Sequence, residues 1–211
     1  MDLVNDADGS RIVLFKKWLQ DGECENLFEY CKSLETKLYP FKLKQNRLMW
    51  ACGDDGVYHE FRGVSVDIHE WSPETLSIRE KIISEFDVYN NFCLINHYRN
   101  GKDSIAPHSD GELYSKNKSV FTVAVGATRK MKLVPYSSAK ESIVFDFESG
   151  DLLWMCGNVQ SKWKHGIDVD PNVIHPRFSF TLRSTLLKAT KKRKHIEEKT
   201  KTEIFIVELK Q

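Results

Sequence analysis

What this chain has little of narrows it first. Its five cysteines, at positions 24, 31, 52, 93 and 156, are odd in number and include no Cys-x-x-Cys pair. Such spacing points to neither a disulfide framework nor a structural zinc site, and the expectation is an intracellular, reducing compartment, nucleus or cytoplasm. No apolar run approaches the roughly 18 residues needed to cross a bilayer. The opening MDLVNDADGS is acidic and has no apolar core of a secretory signal, so no membrane association is expected. Internal repeats and low-complexity linkers are absent as well. Excess charge is also missing: 31 basic and 30 acidic residues leave a net charge of +1. That balance excludes no partner, because basic residues can be confined to one face. What remains is the composition of a globular protein, 41% hydrophobic and 29% charged over 211 residues, enough for one domain with a sizeable core, expected as a monomer.

Periodicity organises that domain. Leu27, Phe28, Cys31, Leu34 and Leu38 recur at helical spacing after Asp21, which predicts an amphipathic helix over 23–37. Ser72 as N-cap and Pro73 at the first helical position start a second helix, with Leu76, Ile82, Ile83 and Phe86 as its buried stripe. The run from Ile12 to Trp18 reads equally as strand or helical turn. Within FKLKQNRLMW, Lys42, Lys44 and Arg47 alternate roughly with Phe41, Leu43 and Leu48, and the lysines read as phosphate contacts or as a solvated face. From Asn91 the period becomes two. Strands are expected at 92–98, 119–126, 130–135, 142–147, 151–155 and 177–185, and short strands so spaced argue for a sandwich or jelly roll. The organisation expected is residues 1–90 as an N-terminal part with the covering helices, 91–187 as the β core and 188–211 as a basic tail containing KKRK.

The chemistry concentrates in NFCLINHYRNGKDSIAPHSDGE. His108 and Asp110 are two residues apart, so in extended chain they point to one side. His165, in QSKWKHG, is far enough along for several strands to bring it back as a third ligand. Two imidazoles and a carboxylate on one face of a metal suit a non-haem Fe(II) centre that also binds O2 and a co-substrate. In RFSFTLR, alternation sets Arg177, Ser179, Thr181 and Arg183 on one face and Phe178, Phe180 and Leu182 on the other. The arginine backbones are about 20 Å apart, and two inward-leaning guanidiniums leave a gap that a small dicarboxylate can span.

Asn96-x-Tyr98, His108-x-Asp110-x-Glu112, Trp163-x-His165 and Arg177 with Arg183 together resemble the AlkB family of Fe(II)- and 2-oxoglutarate-dependent nucleic-acid demethylases, from about Arg47 to about Arg183. The resemblance implies an α+β, mainly β fold: a double-stranded β-helix, or jelly roll, with two covering N-terminal helices and a nucleotide-recognition segment in GDDGVYHEFRG. It implies Fe(II) on His108, Asp110 and His165. It places Asn96 and Arg183 at the keto-acid end of 2-oxoglutarate, and Tyr98 with Arg177 at the distal carboxylate. Ser179 stands where many members carry Asn. Phe61 would stack on a flipped base, His59 would line the pocket, and Glu112 would favour a cationic base. The implied reaction consumes O2 and 2-oxoglutarate, demethylates 1-methyladenine or 3-methylcytosine in DNA or RNA, single strands favoured, and releases formaldehyde, succinate and CO2. Two alternatives stand beside it: a dioxygenase of proteins or small molecules, and an inactive nucleic-acid-binding relic. His97 alternates away from Asn96 and Tyr98, and Trp163 is expected to pack behind His165.

Overall fold

The computed structural model describes residues 1–34, 39–40, 47–61, 64–110, 118–185 and 187. Its elements in order are β1 (Asp2–Asn5), β2 (Arg11–Phe15), α1 (Asp21–Ser33), β3 (Tyr39–Pro40), β4 (Leu48–Gly53), β5 (Glu60–Phe61), β6 (Val64–Ser65) and α2 (Pro73–Phe86). There follow β7 (Phe92–Tyr98), β8 (Ile105–His108), β9 (Val120–Gly126), β10 (Arg129–Pro135), β11 (Ile143–Phe147), β12 (Leu152–Cys156), α3 (Val159–Lys162), β13 (Trp163–Ile167) and β14 (Arg177–Arg183). An eight-stranded sheet runs β1-β2-β12-β9-β14-β7-β4-β3, a four-stranded sheet β11-β10-β13-β8, and β5 with β6 makes a small hairpin. Every pairing within these sheets is antiparallel. The architecture is the mainly β jelly roll, with α1 and α2 laid on the outer face of the large sheet.

Two cores follow from strand alternation. Phe178, Phe180 and Leu182 of β14 join Ile95, Val123 and Val125 and meet Leu27 and Cys31 of α1 and Ile78 and Ile82 of α2. Each such side chain contributes roughly 1.5–3 kcal/mol by leaving water. The second core fills the space between the sheets with Tyr98, Ala124, Met131, Leu133, Phe147 and Ile167. His97 stays with the first core, stacked on Phe178 at 4.3 Å, on the side opposite Asn96 and Tyr98.

The helix ends obey their sequence. Thr75 N–H donates to the Ser72 hydroxyl at 3.2 Å and Pro73 opens α2. In α1 the Glu23 carboxylate takes the Gln20 N–H at 2.7 Å, so Gln20 is the N-cap and Asp21 already lies in the first turn. The first part of the Ile12–Trp18 run, through Phe15, belongs to β2, paired with β12, so the N-terminal part supplies strands as well as covering helices. Arg47 is 3% exposed, on the inward face with Met49 and Ala51. Lys42, Lys44, Glu112 and the 188–211 tail lie outside the described residues, as does the side chain of Phe61.

Candidate active site

Between the sheets lies a cavity of about 260 Å³. Its floor is made by register. On the large sheet, β14 and β7 align Arg177 with Tyr98 and Ser179 with Asn96, and β4 aligns Met49 with Asn96. On the small sheet, β13 and β8 align His165 with His108. The pairing then shifts, because His165 to Ile167 spans two residues while His108 to Ile105 spans three. The extra residue on this edge strand turns both Ile105 and His108 toward the cavity. Gly166 permits the close approach: a Cβ there would stand 2.8 Å from both Ile105 O and Pro107 N.

His108, Asp110 and His165 converge, with one ligand atom from each lying within 4.8 Å of the others. His108 Nδ1 sits 3.0 Å from Ala106 O. A proton on Nδ1 donated to that carbonyl leaves Nε2 free to ligate. Burial lowers the pKa of both rings, that of His165 to about 4, so both are neutral near pH 7 and keep their lone pairs. Asp110 is held far below the usual carboxylate range: burial opposes ionisation, but the Arg183 charge, joined by the two histidines at pH values where they are protonated, overcomes it. Arg183 Nη1 is 2.6 Å from Asp110 Oδ1, an ion pair rather than an aligned hydrogen bond, and Asp110 Oδ2 has no hydrogen-bond partner among the described residues.

Arg177 stands behind the cavity wall, aligned with Tyr98, which lines the cavity while Arg177 itself does not. Arg177 is completely buried. Its Nη1 donates to Phe147 O at 2.8 Å and Ala127 O at 3.2 Å, whereas Nε and Nη2 find no acceptor among the described residues. Burial lowers its pKa to about 10, so it is still charged near neutrality. The nearby cations Arg47, Arg177 and Arg129 all act on the buried Tyr98 phenol. The Ser179 hydroxyl, buried and on the cavity wall, also lacks a partner among the described residues. Each unsatisfied polar group costs about 1–3 kcal/mol, and a bound dianionic keto acid would satisfy this set. The vacant carboxylate oxygen beside two neutral imidazoles fits a divalent iron in the same way.

Of the other residues expected at the site, Asn96 and Tyr98 line the cavity, and Asn96 Oδ1 accepts Arg47 Nε at 2.7 Å. His59 lines it too, buried, with Nε2 3.3 Å from Arg183 Nη2. Burial and then the Arg183 charge lower its pKa to about 4. Trp163 packs against the inter-sheet core. Residues not anticipated are Arg47, Glu60 and Gln160. Arg47 was readable, since it precedes Met49 and Ala51 at period two. Glu60 lines the wall and receives the Tyr58 hydroxyl. Gln160, on the single turn of α3, accepts the Asp110 N–H at 2.8 Å, and no local pattern announces it.

Two antiparallel sheets enclosing a His-Asp-His cluster and buried arginines define the class of non-haem iron dioxygenases. The comparisons agree. The profile of the family described as the 2OG-Fe(II) oxygenase superfamily matches residues 12–183. The DNA oxidative demethylase ALKBH2 of Homo sapiens is 30% identical over 193 residues, covering 85% of this chain and 74% of that protein. Among solved structures, OsALKBH1 superposes with a TM-score of 0.64 at 18% identity, over 82% of this chain and 97% of that one. A prolyl-4-hydroxylase of Pseudomonas putida superposes with a TM-score of 0.57 at 10% identity, over 83% and 93%; these two speak to the fold. The chain belongs to the 2OG-Fe(II) oxygenase superfamily and, within it, to the AlkB family. It is therefore a dioxygenase that uses Fe(II), 2-oxoglutarate and O2. No helix among the described residues is long and apolar enough to cross a membrane.

Proposed function

We propose that this enzyme removes methyl groups from ring nitrogens of 1-methyladenine- and 3-methylcytosine-type bases in single-stranded DNA or RNA, releasing formaldehyde with succinate and CO2. The observation that carries the proposal is the cavity itself. It has a His-Asp-His cluster and a buried arginine at its base, with His59 and the Glu60 carboxylate on its wall. The likeness to a protein named as a DNA oxidative demethylase supports the substrate class.

His108, Asp110 and His165 would hold the iron. With 2-oxoglutarate and O2, that iron supplies the oxidation that hydroxylates the methyl carbon. The rest is positioning. Arg177 would take the distal carboxylate of 2-oxoglutarate through its unsatisfied Nε and Nη2, with the Tyr98 hydroxyl as a further donor, and Asn96 and Arg183 would face the keto-acid end. Ser179 is shorter than the Asn common in the family, so its contact with the co-substrate would be water-mediated or lost. Arg183 keeps Asp110 ionised and oriented. His59, neutral at pH 7, offers a flat polar wall, and Glu60 favours a base carrying positive charge. Phe61 and Glu112 are proposed base contacts on the strength of the family motif. The preference for single strands rests on Leu38 to Arg47, a short basic stretch with Tyr39 and Phe41 and no long apolar wedge to fill the gap left by a flipped base.

The test is mass-resolved demethylation of 1-methyladenine or 3-methylcytosine oligonucleotides, single- and double-stranded, DNA and RNA, beside Asp110→Ala. Loss of one methylene mass that needs both Fe(II) and 2-oxoglutarate and vanishes in the variant is the expected result. Succinate formation with no change in any strand, or turnover of peptides instead, would sink the substrate assignment and leave the oxygenase.

A further inference from the structure

The cavity rim carries a surface that the reaction itself does not use. Tyr136 follows the end of β10 and is 53% exposed. It is nevertheless fixed. Its N–H donates to Lys162 O at 2.8 Å, and its hydroxyl lies 3.4 Å from the Ser109 hydroxyl, which lines the cavity between His108 and Asp110. Lys164 Nζ stands 4.7 Å from the centre of the same ring. By alternation Lys164 leaves β13 on the face opposite His165, paired with Val134, while Lys132 pairs with Gly166 as its diagonal neighbour. Neither Lys132 nor Lys164 has a carboxylate partner among the described residues. Lys130, on the same face, is tied to Asp146 at 2.9 Å. From the cavity mouth outward the small sheet thus offers an aromatic plate followed by two uncompensated ammonium groups.

We infer that Tyr136 and Lys164 form a subsite for the nucleotide adjoining the one taken into the cavity. Tyr136 stacks on the neighbouring base, and Lys164, with Lys132 beyond it, meets phosphates of the same strand. The inference rests on the nucleic-acid reading above and adds where the flanking strand lies. Its physical basis is that every base has a π-face, so a single ring grips any sequence, while cations beside it track the backbone. Lys164 stands beside the ring, and Tyr136 is still 53% exposed. A polyanion is the occupant whose charge complements this face.

The test is binding of a short fluorescein-labelled single-stranded oligonucleotide carrying one 3-methylcytosine, read by anisotropy across a salt series with the full chain. Tyr136→Ala is expected to weaken binding roughly tenfold, and Tyr136→Phe by no more than about twofold, because stacking needs the ring and not the hydroxyl. Lys164→Ala should flatten the dependence of log affinity on log salt by about one. Lys130→Ala, already ion-paired, should change neither quantity. Thermal melting of each variant checks the fold. Wild-type affinity in Tyr136→Ala, equal losses in the Phe and Ala variants, or no binding by the wild type would overturn the subsite. Demethylation measured alongside separates the two ideas: an oligonucleotide gripped through Tyr136 but never demethylated keeps the subsite and removes the reaction.

Discussion

The side-chain carbonyl of Gln160 accepts the backbone N–H of Asp110 at 2.8 Å, tying the carboxylate proposed for the metal to the short helix that leads into the His165 strand. The Gln160 amide in turn points at Met155 Sδ, 3.8 Å away in the inter-sheet core.

Gln160→Leu keeps the bulk and loses the acceptor. It should lower the affinity for Co(II), followed by absorption titration without turnover, by roughly tenfold or more. Gln160→Glu, which still accepts the N–H, should recover most of that affinity. Equal affinities in all three proteins would reduce Gln160 to packing.

Asp110→Ala leaves Arg183 buried at 2.6 Å from a missing charge. Removing one partner of a buried pair costs about 3–5 kcal/mol, so urea denaturation of the metal-free variant should show a loss of that order together with abolished 2-oxoglutarate consumption. Inactivity with undiminished stability would mean that the pair is solvated.

Arg177→Met exchanges a buried, half-satisfied guanidinium for an apolar chain. Because Nε and Nη2 are unpaired, the metal-free fold should tolerate it, while the thermal stabilisation that 2-oxoglutarate confers on the wild type should vanish at ordinary concentrations. Stabilisation equal to wild type would place the dicarboxylate elsewhere.

His59 gives a pH dependence of defined sign. Its folded-state pKa is depressed from 6.5 to about 4, so below pH 6.5 the unfolded chain binds a proton that the fold refuses. Stability is full above the unfolded value and falls as pH drops toward 4, by on the order of 3 kcal/mol for this group. His59→Gln should flatten the acid limb of a stability-versus-pH curve. An unchanged limb would show that His59 titrates normally in the fold.

Gly166→Ala should push β8 away from β13, since its Cβ would stand 2.8 Å from backbone atoms of Ile105 and Pro107. Separating His108 from His165 lowers Co(II) affinity more than it lowers the melting temperature. A variant that melts early but binds metal normally would contradict this geometry.

Much of the site was legible because strand alternation is local. Arg177, Ser179, Thr181 and Arg183 share a face in β14 through period two alone, and Phe178, Phe180 and Leu182 turn to the helices for the same reason. β7 matches its expected span, 92–98. The inward face of Arg47 follows from period two with Met49 and Ala51, but its partner does not: that it donates to Asn96 depends on the pairing of β4 with β7.

The sequence by itself determined the residue types and their faces: two imidazoles and a carboxylate that suit iron, two arginines on one face of a strand, and apolar stripes that bury two helices and a central strand. The tertiary structure decided which of these meet. Whether His108 faces inward depends on one extra residue in the pairing of β8 with β13, and the bare backbone of Gly166 lets those strands close. That Gln160 holds Asp110, and that Tyr136 stands at the cavity mouth beside Lys164, depends on contacts between segments far apart in the chain. Alternation is a property of consecutive residues, whereas register is the outcome of packing the whole chain, and no single strand encodes it.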